Sequence, residues 1–137
     1  MSKKICIVAS NFYPEITKKL INGAKDKLKK NNFSNIKTIL VTGTFEIPVT
    51  MSNLINMFDA FIVLGCVIKG KTSHFHYLSS SVFKAIIDIS VKSKVPIGNG
   101  ILICNNKKQA IERSNPNKID KGGNAAIAVI SVLKAIK

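Results

Sequence analysis

Short apolar runs alternate with longer segments of helical periodicity along the whole of this 137-residue chain. Four runs have the length of a strand and lie at residues 3–10, 36–43, 58–67 and 95–104. The third is apolar almost throughout, as strands buried on both faces of a parallel sheet are. The alternation predicts an α/β fold in which helices cover both faces of a four-stranded parallel sheet.

Helical patterns fill the segments between these runs and follow the last one. In the first, Ile16, Leu20, Ala24 and Leu28 recur every four residues, with lysines on the opposite face. The same reasoning predicts helices at 44–57, from residue 72 to 89, at 106–114 and at 125–136. No internal repeat or linker interrupts this order, so the pattern and the length predict a single domain over residues 1–137.

Charge and composition narrow the classes of function. The net charge is +14, but the lysines are scattered and do not interleave with aromatic residues, which argues against a nucleic-acid platform. Such a surface would attract anionic substrates. No apolar run approaches the length of a membrane span. The cysteines, Cys6, Cys66 and Cys104, lie far apart in apolar runs, as free thiols in a reducing cytoplasm do. The predicted location is therefore cytoplasmic.

One segment matches a nucleotide-binding motif. Gly65 to Thr72 fits the P-loop pattern G-x-x-x-x-G-K-[ST], after an apolar strand and before a helix. Against this reading, Val67 and Ile68 are β-branched in a loop that prefers small residues, and no later strand ends in an aspartate for Mg²⁺. A P-loop protein remains the minor alternative. The segment favours anion binding at a helix start, beyond the carboxyl end of a strand.

The two histidines follow directly. His74 and His76 are two residues apart, so on a helix they point to nearly opposite sides and do not share a metal. A histidine beside an anion site at a helix start suits proton transfer near neutral pH.

Arg113 is the one arginine among 21 basic residues. A guanidinium fork binds phosphate or carboxylate through two hydrogen bonds, which lysine does not do. From this fact alone, a phosphate-binding arginine and an incidental surface arginine are equally open.

These features belong to a larger ordered set of segments: NFYPEITKKLINGA, TGTFEIP, GCVIKGKTSHFHY, VPIGNGIL and QAIER…KGG…AA. As a set, from about Ile5 to Ile136, they resemble the lumazine synthase family of riboflavin biosynthesis. The resemblance implies a flavodoxin-like three-layer sandwich and a transferase. Its reaction joins 5-amino-6-(D-ribitylamino)uracil to 3,4-dihydroxy-2-butanone 4-phosphate and yields 6,7-dimethyl-8-ribityllumazine. It also implies no metal, no organic cofactor, and a homo-oligomer with sites between adjacent subunits.

The resemblance assigns roles to individual residues. It implies that Phe12 stacks on the pyrimidine. The rest of the pocket for the pyrimidine and its ribityl chain comprises Thr44, Phe45, Glu46, Val67, Ile68 and Lys69. The residues implied for the phosphate are Lys71, Thr72 and, from the neighbouring subunit, Arg113. Lys121 matches the lysine of the late KG motif, which implies an electrostatic contribution to substrate binding. His74 matches the proton-transfer histidine.

Three positions depart from the family pattern. Asn99 stands where many members have a phenylalanine over the pyrimidine, so an amide replaces hydrophobic closure. His76 and Asn124 stand where acidic residues are usual. We expect modestly altered kinetics from these changes and retained activity.

A non-catalytic flavin- or lumazine-binding protein on the same scaffold is the main alternative. Such a protein could dispense with His74 and Arg113, and the presence of both favours the enzyme. Family members form pentamers or sixty-subunit shells. The turn NPNKIDKGG and the few residues before the first strand favour a pentamer.

Overall fold

Four parallel strands form one sheet within the described part of the chain. The structure, a computed structural model, describes residues 2–70 and 74–137, without the side chains of His74 and Phe75. The strands are β1 (Ile5–Ser10), β2 (Ile36–Val41), β3 (Ala60–Ile68) and β4 (Ile97–Cys104). Their order across the sheet is β2-β1-β3-β4, and every pairing is parallel. This confirms the predicted sheet.

Helices cover both faces of the sheet. In the described residues they are α1 (Pro14–Lys30), a 3-10 helix (Thr44–Glu46), α2 (Ile47–Leu54), α3 (His74–Ser93), α4 (Lys107–Ser114) and α5 (Lys121–Ala135). Helices α1, α4 and α5 pack on one face, and α2 and α3 pack on the other. The predicted flavodoxin-like three-layer sandwich is therefore confirmed. Helix α5 begins at Lys121 rather than at residue 125, because Asp120 caps it. No helix in this part of the chain is both long and apolar enough to cross a membrane.

Strand β1 shows how the core holds the layers together. Ile5 and Ile7 point into the layer of α1 and α5, whereas Cys6 and Val8 point into the layer of α2 and α3. All four side chains are fully buried. Burying a large apolar side chain contributes roughly 1.5–3 kcal/mol, so a strand buried on both faces is fixed firmly in place.

The strand order creates a switch point between β1 and β3. After β1 the chain crosses to β2 on one side, and after β2 it returns to place β3 on the other side of β1. The connections that leave β1 and β3 therefore diverge. In open α/β sheets this is where a crevice forms beyond the carboxyl ends of the strands.

Candidate active site

A cleft of about 250 Å³ opens at the carboxyl edge of the sheet, at the switch point between β1 and β3. Its walls come from the turn after β1, the turn after β2, the last residues of β3 and one side chain of α3. The lining residues are Phe12, Tyr13, Gly43, Thr44, Phe45, Cys66, Val67, Ile68 and Leu78. Most of these groups are apolar or aromatic, which suits a flat organic ligand.

Phe12 stands at the rim of this cleft with 67% of its surface exposed. The turn that carries it is anchored to the sheet, since the Asn11 N–H donates to the Val41 carbonyl at 2.8 Å. The ring also meets Tyr13 edge-on, with 5.0 Å between centroids and 79° between planes. An exposed ring on an anchored turn can stack on a planar ligand at a small entropic cost.

The 3-10 helix after β2 forms the opposite wall. Thr44 is buried, whereas Phe45 is 67% exposed. The Glu46 carboxylate accepts a hydrogen bond from the Thr42 hydroxyl at 3.0 Å. Glu46 does not line the cleft; it lies in an adjoining groove that also contains Phe45 and Val82. The structure therefore brings Thr44 and Phe45 to the cleft and leaves Glu46 beside it.

The end of β3 forms the floor. Val67 and Ile68 line the cleft, whereas the side chain of Lys69 is exposed and its N–H donates to the Cys104 carbonyl at 2.8 Å. Burial, with a smaller contribution from the adjacent Cys104, raises the pKa of the Cys66 thiol to about 12. A thiol with such a pKa stays protonated, so Cys66 is part of the wall and not a nucleophile.

Three further predicted residues line a different surface. Asn99, Arg113 and Lys121 border a depression of about 420 Å³ at the open edge of β4, which we call the edge depression. Its other lining residues are Phe83, Ile101, Leu102, Ile103 and Ile119. The cleft and the edge depression share no lining residue. Within one chain, the aromatic residues of the cleft are therefore separate from Arg113 and Lys121.

Two of these side chains bind the exposed edge of β4. The Asn99 amide oxygen accepts from the Ile101 N–H at 2.9 Å, and Nη1 of Arg113 donates to the Ile103 carbonyl at 3.2 Å. In the described part of the chain β4 is an outer strand, so these backbone groups have no neighbouring strand there to pair with, and the two side chains bond to them instead. Arg113 is thereby oriented through one nitrogen, Nη1.

The family of the chain follows from a comparison with family models. The model described as 6,7-dimethyl-8-ribityllumazine synthase matches residues 2–137. The chain belongs to this family. Members of the 6,7-dimethyl-8-ribityllumazine synthase family are transferases of riboflavin biosynthesis, and the match confirms the function implied by the sequence resemblance. It gives no support to the alternatives of a non-catalytic binding protein or a P-loop protein.

Three residues assigned to the synthase reaction are not placed by these observations. Lys71 and Thr72 lie outside the described residues, and so does the side chain of His74. Helix α3 begins at His74, and Leu78 in its second turn lines the cleft. The amino-terminal end of α3 therefore lies beside the cleft. The roles of these three residues stay predictions.

Some lining residues were not expected from the sequence. Tyr13, Gly43, Cys66 and Leu78 all border the cleft. Tyr13 and Gly43 lie within the segments NFYPE and GTFE, next to residues that were predicted to bind the substrate. Leu78 belongs to an apolar stripe of α3 and Cys66 to an apolar strand. Both patterns predict core, and only the packing shows that the core reaches the cleft at these points.

Proposed function

We propose that residues 1–137 act as one domain in a cytoplasmic pentamer, in which each active site joins the cleft of one subunit to the edge depression of its neighbour. The synthase reaction brings a flat pyrimidine and a phosphate ester together. The observation that carries the proposal is that, within one chain, the aromatic walls lie in the cleft while Arg113 and Lys121 lie in the edge depression. A neighbouring subunit brings the two halves together.

The cleft takes the ribitylamino-pyrimidine. Phe12 stacks on the ring, and its exposed face on an anchored turn supports this role. The rest of this pocket comprises Thr44, Phe45, Glu46, Val67, Ile68 and Lys69. Glu46 accepts hydrogen bonds from a polyol chain that extends past Phe45, and its position beside the cleft supports this role.

The edge depression supplies some of the groups that bind the substrate phosphate. Arg113 supplies a guanidinium donor and Lys121 a second positive charge, and the turn at Lys71 and Thr72 of the other subunit completes the site. The amide of Asn99 faces the pyrimidine in place of the phenylalanine common in the family. Its oxygen is engaged by its own strand, so the NH₂ group is the part that remains for the ligand.

The chemistry needs positioning and proton transfer. The 5-amino group of the pyrimidine adds to the ketone, and water leaves as the imine forms. Loss of a proton from the adjacent carbon then expels phosphate, and the ribitylamino nitrogen closes the ring with loss of a second water. His74 carries the protons of these steps. None of the steps calls for a metal or an organic cofactor.

Direct assay tests the proposal. Purified protein mixed with the two substrates should form fluorescent lumazine faster than the spontaneous condensation, before and after dialysis against a chelator. A rate equal to the spontaneous one would refute catalysis.

The oligomeric state is tested separately. Light scattering after size-exclusion chromatography should give about five times the 14.9 kDa subunit mass. A particle of shell size would refute the pentamer.

A further inference from the structure

The loop between α4 and α5, residues 115–120, is held by its own hydrogen bonds. The Asn115 carbonyl accepts from the N–H groups of Lys118 (3.0 Å) and Asp120 (3.1 Å). The Asn115 amide oxygen accepts from the Asn117 N–H at 2.9 Å. The loop is therefore a fixed connection between the helix that ends just after Arg113 and the helix that begins after Asp120.

Asp120 ends this loop in an unusual backbone conformation. Its φ of 55° and ψ of 56° lie in the left-handed region, which asparagine and aspartate tolerate better than other residues with a Cβ. Its carboxylate accepts from the Gly123 N–H at 3.1 Å, and its carbonyl accepts from the Asn124 N–H at 2.9 Å. The side chain thus caps α5 and also fixes the direction in which α5 starts.

Asp120 is packed as closely as it is bonded. A Cβ atom on Gly23 of α1 would collide with the Asp120 carboxylate, and so would one on Gly123. The carboxylate therefore sits in a space that two glycines leave open. Lys121 follows immediately as the first residue of α5, and its side chain borders the edge depression together with Arg113.

We propose that Asp120 is a positioning residue for the synthase reaction: its left-handed turn and its cap place Lys121 beside Arg113, so that both cations receive the substrate phosphate. This inference rests on the proposed phosphate role of Arg113 and Lys121. Asp120 itself touches no substrate, since its carboxylate is used by the start of α5.

Kinetics of four substitutions test the inference. Asp120→Ala removes the cap and disfavours the turn, and we expect KM for the butanone phosphate to rise about fivefold, as when one of two charge-assisted contacts is weakened. KM for the pyrimidine and kcat at saturating phosphate substrate should stay within about twofold of the wild-type values.

Three other substitutions at this position separate the turn from the cap. Asp120→Asn should keep the wild-type KM, because asparagine both tolerates the turn and accepts a hydrogen bond from the Gly123 N–H. Asp120→Gly keeps the turn and loses the cap, so its KM should lie below that of Asp120→Ala. If Asp120→Ala does not fold, Asp120→Ser takes its place, since serine caps but does not favour the turn.

Asn32→Ala is the matched control. Asn32 also has a left-handed φ, 69°, but it lies between α1 and β2, at the amino ends of the strands and far from the edge depression. The control should lower the melting temperature without changing either KM. If Asp120→Ala or its serine replacement behaves like Asn32→Ala, with a lower melting temperature and an unchanged phosphate KM, the inference is overturned.

Arg113→Lys and Lys121→Ala separate this inference from the proposed function. Both should raise KM for the phosphate substrate. If neither does, the phosphate role fails and the Asp120 inference fails with it. If both do and Asp120→Ala does not, only the positioning role of Asp120 is wrong.

Discussion

The hydroxyl groups of Ser10 and Thr38 are buried without a hydrogen-bond partner in the described part of the chain. A buried polar group that stays unpaired costs about 1–3 kcal/mol. We therefore expect Ser10→Ala and Thr38→Val each to raise the free energy of unfolding by about 1 kcal/mol. Urea titration of the purified variants measures this.

Thr17→Val provides the control for this prediction. Thr17 is buried, and its hydroxyl donates to the Ser10 carbonyl at the end of β1. Its loss leaves that carbonyl without this donor, so the free energy of unfolding should fall by about 1 kcal/mol or more. A similar fall in Ser10→Ala would mean that the Ser10 hydroxyl has a stabilising partner.

Two buried thiols make stability depend on alkaline pH. Burial raises the pKa of Cys6 to about 11, against a smaller lowering by Lys37, and raises that of Cys66 to about 12. Thiols in the unfolded chain have a pKa of about 8.5. Above that pH the unfolded chain loses thiol protons that the folded chain keeps. The free energy of unfolding therefore falls as the pH rises above about 8.5, by roughly 1.4 kcal/mol per pH unit for each thiol. The fall ends near pH 11 for Cys6 and near pH 12 for Cys66, where the folded thiols also lose their protons.

Urea titrations between neutral pH and about pH 10, under reducing conditions, measure this loss. A double variant, Cys6→Ala with Cys66→Ala, should show a much shallower decline than the wild type. Equal declines in both proteins would assign the alkaline sensitivity to other groups.

Helix α5 depends on glycine where it approaches its neighbours. A Cβ on Gly122 would collide with the Leu20 carbonyl of α1, and a Cβ on Gly98 of β4 would collide with the Ala125 carbonyl of α5. Backbone atoms cannot rotate away as a side chain does. We expect Gly122→Ala to lower the free energy of unfolding by about 2 kcal/mol or more, although alanine favours helices, because overpacking forces α5 off α1.

Gly70→Ala is the matched substitution for comparison. A Cβ there meets no atom of the described residues within 4 Å, and the position has no left-handed φ. The change should be neutral or stabilising by about 0.4–1 kcal/mol, through the lower entropy of the unfolded chain. Equal losses in the two variants, seen by urea titration, would show that the contact with α1 is not the cause.

Local periodicity was enough to predict the layers of the fold. The four-residue spacing in α1 and the apolar run of β3 each reflect burial within the element itself, so they can be read without knowing the neighbours. The start of α5 could not be read in this way. The stretch KGGN is polar and glycine-rich and predicts a loop, whereas the structure makes it helical because the glycines admit Leu20 and Asp120.

The sequence predicted several of the cleft residues of the candidate site, but not the hydrogen bonds at the edge of β4. Phe12, Thr44 and Phe45 follow strand ends in recognisable segments, and the structure brings them into one cleft. The hydrogen bonds of Asn99 and Arg113 to β4 depend on that strand being the open edge of the sheet, a property of the strand order. No local pattern carries the strand order, so these contacts appear only in the folded chain.

At the scale of the whole molecule, both helix layers expose apolar side chains, and the most exposed of those in regular helices lie in the α2–α3 layer. The α2–α3 layer exposes Val49, Tyr77, Ile87 and Val91, the last with 71% of its surface open. A row of such residues on a helix layer marks an interface with another protein. Family membership implies a homo-oligomer, and this layer is a candidate surface for contacts between its subunits. The proposed pentamer would bury it around a fivefold axis.

Mixed oligomers test whether each site spans two subunits. Phe12→Ala damages the cleft and Arg113→Ala damages the edge depression, so each variant alone has every site impaired. Unfolding and refolding the two variants together in equal amounts should restore roughly a quarter of the wild-type activity, because a heterologous interface pairs an intact cleft with an intact edge in that fraction of sites. The assay follows lumazine formation at substrate concentrations below KM.

The control mixture combines two variants with damage in the same half, Phe12→Ala and Val67→Asp. Every site in that mixture has a defective cleft, so its activity should equal the average of the two parent oligomers. Recovery in the first mixture and not in the second requires that the cleft and the edge depression act from different chains. If the first mixture also shows only the average of its parents, each chain contains a complete site. The separation of Arg113 from Phe12 within the chain would then have to close by movement of the chain itself.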